Sequence, residues 1–204
     1  MSTPRLVDSF LVLDAHNDSL ILRQVRDDPM DLADVNPAYQ VDLPRLREGG
    51  VDCLFCMVGD SDLEQSSILI DAVNEMCRVH ANDFSLCATA SEVRTARAEG
   101  KIAIVPTIEG QKMFNENLRH LRNWHRLGVR VASITHGGGR RPELQYDPSY
   151  FGYITAEERE NLRQQSKGLT SFGREALAEM ARLGMPVDLA HINDTAFWQA
   201  MDIA

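Results

Sequence analysis

Residues 11–18 read LVLDAHND, a short apolar run that ends in Asp14, His16 and Asp18. Such a run is typical of a buried β-strand, whose side chains alternate between the two faces of a sheet. The three polar side chains stand at every second position and therefore point the same way. A buried carboxylate is unfavourable unless a cation or a hydrogen bond compensates it. We therefore predict that His16 and Asp18 bind a metal and that Asp14 orients these ligands without contacting the metal itself.

Similar apolar runs recur along the chain and predict an α/β fold. Most are rich in Val and Ile and nearly continuous in hydrophobicity, as parallel strands covered on both faces are. Amphipathic stretches separate them, and strands that alternate with helices indicate a parallel sheet with crossover helices. The five runs span residues 10–18, 51–60, 101–110, 128–138 and 185–191.

The amphipathic stretches predict helices with an apolar stripe at a period of 3.6 residues. These helices span residues 63–79, 118–127, 171–183 and 194–204. Residues 139–167 are polar and rich in turn formers, and we predict a long loop on the active face there. Five strand–helix units fit an open doubly wound sheet. A complete (β/α)8 barrel takes about 250 residues, so a barrel in 204 residues would be incomplete.

The composition limits the class of protein. Of 204 residues, 44% are hydrophobic and 25% are charged, which is typical of a globular protein. The net charge of −9 argues against nucleic-acid or anionic membrane partners. No apolar stretch approaches the roughly 18 residues of a membrane span, and the N-terminus lacks the layout of a signal peptide. The four cysteines form no disulfide framework, and we predict that Cys53 and Cys56 are core residues of a cytoplasmic protein.

Four of the five apolar runs end in residues that can coordinate a metal or transfer protons. They end in His16 with Asp18, in Glu109, in His136 and in His191. Each alone is a weak signal, because a turn or a helix cap would also explain it. Together they predict a shared site, since the carboxyl ends of parallel strands lie on one rim of the sheet. A mixed histidine and carboxylate set suits zinc, and also Mn, Co or Fe, with Glu109 as the natural bridge between two ions.

Five segments of the chain together resemble one known family. They are LDAHND (13–18), VDLPRLREGGVD (41–52), EGKIAIVPTIEG (99–110), LGVRVASITH (127–136) and GLTSFGREALAEMARLGMPVDLAH (168–191). The chain resembles the membrane dipeptidase group (renal dipeptidase, peptidase family M19) of the amidohydrolase superfamily. The resemblance implies a (β/α)8 TIM barrel of the metal-dependent hydrolase type, truncated here after about five βα units. Residues 1–204 would then form a single incomplete barrel domain.

The resemblance also implies a site and an activity. The activity is hydrolysis of dipeptides by a metal-bridging hydroxide at two zinc ions. His16 and Asp18 match ligands of the first metal, Glu109 matches the bridging carboxylate, and His191 matches a ligand of the second metal. His136 matches the histidine that contacts the substrate or the tetrahedral intermediate. Glu109 and His136 are thus the expected catalytic residues.

The chain also departs from the family pattern. A second histidine for the second metal, an arginine for the substrate carboxylate and an aspartate for proton transfer have no counterpart before Ala204. Residues 135–143, THGGGRRPE, replace a loop that usually contains Asn and Trp. Two alternatives therefore stand beside a dipeptidase: a truncated, non-catalytic or partner-completed fragment with a residual metal-binding rim, and another amidohydrolase such as a lactonase or deaminase. We expect a homo-oligomer or dependence on the missing C-terminal half, because five strands leave open sheet edges.

Overall fold

The computed structural model describes residues 9–60, 62–136, 155–165 and 167–203. The chain forms two compact units, Met1–Gly59 with Leu63–Thr107 and Asp60–Asp62 with Ile108–Ala204. In the described residues of both units, short parallel strands alternate with helices, so the predicted α/β class is confirmed. The single-domain organisation stays a prediction.

The part of the first unit that the structure describes holds four strands and four helices. β2 lies next to β1 and β4 in the sheet, and β3 also pairs with β4. The pairing of β1 with β2 is parallel, with Leu13 opposite Cys53, and its register shifts between Asp14 and Asn17. The elements are β1 (Leu13–Asn17), α1 (Ser19–Val25), α2 (Leu43–Gly49), β2 (Cys53–Gly59), α3 (Leu63–Val79), β3 (Phe84–Leu86), α4 (Ala90–Ala98) and β4 (Ile102–Ile108).

The core of the first unit consists of strand residues and the apolar faces of the helices. α3 spans the residues that its apolar stripe predicted, and Leu69, Val73 and Met76 of that stripe are buried. The four cysteines are free and buried, which confirms that Cys53 and Cys56 are core residues. Burial raises the pKa of both thiols to about 12, so they stay protonated at neutral pH and are poor nucleophiles.

The second unit holds two strands and four helices in its described residues. β5 and β6 pair in parallel, with Ala132 opposite Val187. The capping residues explain where α7 lies: the Thr170 hydroxyl accepts from the Gly173 N–H, and Gly184 ends the helix in the left-handed conformation. The elements are α5 (Leu118–Arg126), β5 (Val131–Ser133), α6 (Ala156–Gln165), α7 (Ser171–Leu183), β6 (Val187–Asp188) and α8 (Asp194–Met201).

The predicted loop at 139–167 is wrong for its C-terminal part, which forms α6. The Thr155 hydroxyl accepts from the Glu158 N–H at 3.1 Å, and the Glu158 carboxylate accepts from the Thr155 N–H at 2.8 Å. This reciprocal capping box starts a helix despite the polar composition. The rest of the predicted loop, up to residue 154, lies outside the described residues. β3 and helices α1, α2 and α4 were not predicted.

Candidate metal centre

Glu109 follows β4 directly, and it is buried, with 4% of its surface exposed. The chain turns sharply after it, because Gly110 has a φ of +85°. The Gly110 N–H donates to the Ser133 hydroxyl at 3.2 Å, which ties this turn to the end of β5. The sequence prediction placed Glu109 at the carboxyl end of a strand, and the structure confirms that placement.

The side chains of His136 and His191 lie beside this carboxylate. The Oε1 atom of Glu109 is 3.3 Å from Nε2 of His191 and 3.8 Å from Nε2 of His136. The two imidazole rings contact each other edge to face, with 5.0 Å between their centroids. One ligand atom from each of the three residues lies within 4.8 Å of the others. Residues up to 82 positions apart in the sequence, Glu109 and His191, are thus brought together.

His191 adopts a backbone conformation that is unusual for a residue with a side chain. Its φ is +62°, in the left-handed region. In the turn just before it, the Asp188 carboxylate accepts a hydrogen bond from the Ala190 N–H at 2.8 Å. Such a conformation raises the free energy by about 1–3 kcal/mol and is found most often at functional sites. Asn193 then caps α8 by accepting from the Ala196 N–H, so His191 lies in a tight turn between β6 and a capped helix.

Asp60 is a member of this cluster that sequence reasoning missed. Its Oδ1 atom lies 3.2 Å from Nδ1 of His136, on the side of the ring opposite Glu109. Asp60 follows β2 and closes the second apolar run, at the position where the other runs carry their coordinating residues. The rule that selected Glu109 and His191 would therefore have selected Asp60 as well.

Gly110 allows His136 and Asp60 to approach the turn after β4. A Cβ atom at position 110 would lie 3.1 Å from the His136 Cβ and 3.4 Å from the backbone oxygen of Asp60. The first distance is shorter than almost all real contacts of a Cβ atom. Both the positive φ and the close approach therefore require glycine here.

Glu109 and His191 have the spacing of ligands to one divalent cation. Ligands of tetrahedral zinc lie about 2.0–2.2 Å from the ion, which places neighbouring ligand atoms roughly 3.3–3.6 Å apart. The 3.3 Å between His191 and Glu109 matches that spacing. A carboxylate beside an imidazole is also the kind of donor set that zinc, Mn, Co and Fe share. The residues present therefore fit a metal ion.

His16 and Asp18 lie together in the first unit, at the carboxyl end of β1. His16 Nε2 is 3.5 Å from Asp18 Oδ1, and both side chains are exposed. Asp18 occupies the N-cap position of α1 but makes no capping bond with its side chain, so capping does not explain this carboxylate. Asp14 accepts from the backbone N–H of His16 and from the Asn17 amide rather than from an imidazole ring. The metal-binding roles of His16 and Asp18 and the supporting role of Asp14 stay predictions.

Comparison with known proteins gives one consistent family. The family model described as membrane dipeptidase (peptidase family M19) matches residues 2–204. Dipeptidase 3 of Mus musculus is 29% identical over 211 residues, which cover 98% of this chain and 40% of the mouse protein. This chain therefore spans less than half the length of that relative.

Solved structures agree with this family and with the predicted fold. A metallo peptidase from Rhodobacter sphaeroides, liganded with a phosphinate mimic of the dipeptide L-Ala-D-Ala, superposes with a TM-score of 0.79 at 22% identity, over 95% of this chain and 62% of its own. The dipeptidase AC, a metallo peptidase of family M19, superposes with a TM-score of 0.78 at 25% identity, over 95% of this chain and 60% of its own. The fold is thus of the (β/α)8 barrel type of metal-dependent hydrolases, of which this chain carries part. The chain belongs to the membrane dipeptidase family, peptidase family M19.

Proposed function

We propose that the protein to which this chain belongs is a metal-dependent dipeptidase that hydrolyses the peptide bond of dipeptides. The observation that carries the proposal is the convergence of Glu109, His136 and His191 at the ends of β4, β5 and β6. Family membership narrows the chemistry, because the relatives and neighbours described above are named as dipeptidases and metallo peptidases.

Glu109 and His191 are the residues that would hold a metal in the second unit. The resemblance adds His16 and Asp18 as ligands of another ion, so the proposed complement is two zinc ions with Glu109 shared between them. Bound zinc supplies Lewis-acid polarisation of the peptide carbonyl and lowers the pKa of coordinated water. The burial of Glu109 supports this role, since a dry carboxylate attracts a cation more strongly than one in water.

His136 is the residue that we assign to the substrate. Its Nε2 atom faces Glu109, and about a third of its side chain is exposed, so it is accessible to a ligand. We propose that His136 contacts the peptide carbonyl and stabilises the negative charge that develops on its oxygen during hydrolysis. Removing one such donor typically slows turnover about 10²–10³-fold.

Two substitutions test these roles. Glu109→Gln should abolish dipeptide hydrolysis and lower the zinc content, because it removes the shared ligand. His136→Ala should leave the zinc content nearly intact and lower kcat by about 10²–10³-fold. The exposed helix residue Glu175 gives a matched control, and Glu175→Gln should keep both properties. Loss of zinc from the His136→Ala protein would contradict its assignment to the substrate.

A second candidate follows from the lengths of the relatives. The chain covers 40% of dipeptidase 3 and 60–62% of the two solved structures, so the 204 residues alone could serve as a metal-binding part completed by further chain or by a partner. Size-exclusion chromatography and a dipeptide assay on the purified 204 residues distinguish a chain that is active alone from a metal-binding part that needs completion. Aggregation or dependence on added chain is the outcome that we expect.

Four further properties stay predictions: self-association, a cytoplasmic location, and the absence of membrane and of nucleic-acid partners. None of the helices in the described parts of the chain is long and apolar enough to cross a bilayer.

A further inference from the structure

Asp60 and His136 form a contact for which neither the sequence motifs nor the proposed metal ligands account. The contact joins residues 76 positions apart, with 3.2 Å between Oδ1 of Asp60 and Nδ1 of His136. The two side chains are 39% and 31% exposed, so solvent reaches both. An exposed pair of this kind stabilises a fold by little, about 0–1 kcal/mol. A role in stability is therefore a poor explanation for the contact.

The chemistry of the two groups fixes which nitrogen of the ring carries a proton. An ionised carboxylate can only accept a hydrogen bond, so the hydrogen between the two atoms belongs to Nδ1 of His136. The opposite nitrogen, Nε2, is then the one that lies near Glu109 and His191. In metal sites and in hydrolase triads, a carboxylate that accepts from one ring nitrogen of a histidine fixes the tautomer and the orientation of the ring.

The position of the Asp60 backbone is itself defined. A methyl group at position 110 would lie too close to the His136 Cβ, at 3.1 Å, and would contact the Asp60 carbonyl oxygen at 3.4 Å, so the two residues meet across one glycine. The Gly110 N–H is bound to Ser133, three residues before His136 in the chain. The turn after β4 thus sets the distance between the carboxylate and the ring.

We propose that Asp60 is a positioning residue for His136. It holds the Nδ1 proton and the ring plane, so that Nε2 is directed toward the substrate at the Glu109 and His191 cluster. This inference rests on the proposed function for its kinetic consequences, but its structural part stands independently.

The test uses Asp60→Asn, which fills the same space without the charge. An amide can donate where a carboxylate cannot, so the neutral His136 ring should shift toward the form protonated on Nε2. The readout is the pair of ring nitrogen signals of His136 in ¹⁵N-labelled protein, assigned by their loss in His136→Ala. Asp60→Ala should release the ring to a mixture of the two forms. Asp62→Asn, an exposed aspartate two positions away, is the matched control and should leave the signals unchanged.

Kinetics supply the second readout. We expect Asp60→Ala, which releases the ring, to lower kcat for dipeptides by about 10-fold or more, as loss of a histidine-orienting carboxylate does at metal sites, with little change in KM or zinc content. A role limited to packing would leave the ring nitrogen signals of Asp60→Asn like those of wild type, because the two side chains have the same shape. If the complete protein that contains this chain hydrolyses no dipeptide, the proposed function fails, and the nitrogen signals still decide the inference. Unchanged ring signals in both Asp60 variants would overturn it.

Discussion

Gly110→Ala is the substitution that tests most directly how the site is built. Two effects oppose an alanine at this position. The φ of +85° lies in the left-handed region, and the added Cβ would lie 3.1 Å from the His136 Cβ. Gly184 shares only the first effect, because its φ is +68° and a Cβ there would meet no atom within 4 Å. Gly184→Ala is therefore the matched control.

The difference between the two variants isolates the contact with His136. Left-handed backbone raises the free energy of a residue with a side chain by roughly 1–2 kcal/mol, and this term is common to both. Alanine also reduces the entropy of the unfolded chain by about 0.4–1 kcal/mol, again in both. Overpacking at position 110 adds about 1–3 kcal/mol. For a protein of this size, that excess corresponds to a further fall in Tm of roughly 2–12 °C.

Thermal and urea unfolding of wild type and both variants measure these terms. We expect Gly110→Ala to unfold at the lowest temperature and Gly184→Ala to lie between it and wild type. Crystallography or NMR of Gly110→Ala should also show His136 displaced relative to Glu109. Equal loss of stability in the two variants would show that Gly110 and His136 do not meet as the structure places them, and would refute the reasoning.

Two further predictions concern stability. Phe114 is completely buried, so Phe114→Ala should lower the free energy of unfolding by about 3–5 kcal/mol. Phe10 is 61% exposed, so Phe10→Ala should change the free energy of unfolding by no more than about 0.5 kcal/mol. Urea unfolding measures both, and similar losses in the two variants would contradict this prediction. Hydrogen bonds from Arg182 lower the pKa of Glu179 from 4.5 to about 2, so its contribution to stability is present above pH 4.5 and is lost as the pH falls toward 2. The difference in Tm between wild type and Glu179→Gln should therefore shrink over that range, and a pH-independent difference would contradict the assignment.

Several parts of the fold could be predicted because they depend on local pattern. The apolar stripe of α3 fixed its span at Leu63–Val79, since a helix repeats every 3.6 residues whatever it packs against. The short apolar runs located β1, β2, β4, β5 and β6 for a similar reason. Placing Glu109 after a strand needed only the rule that chemistry gathers at the carboxyl ends of parallel strands.

Local pattern failed where an element is short or its start depends on one capping interaction. β3 has three residues, Phe84–Leu86, too few to show any periodicity, and it forms through its pairing with β4. α6 reads as a loop by composition, and the capping box of Thr155 and Glu158 decides otherwise. Such elements depend on one or two specific hydrogen bonds, and the average composition of a segment does not predict these bonds.

The sequence by itself determined the chemical groups of the site and the strand ends that carry them. Only the tertiary structure decided their geometry: the 3.3 Å between Glu109 and His191, and the side of the His136 ring that faces Asp60. The left-handed backbone of His191 likewise could not be predicted from the residue type, because only a few per cent of residues other than glycine adopt it. The physical reason is that side-chain periodicity is set within a few residues, whereas distances between strand ends depend on the register and packing of segments far apart in the chain.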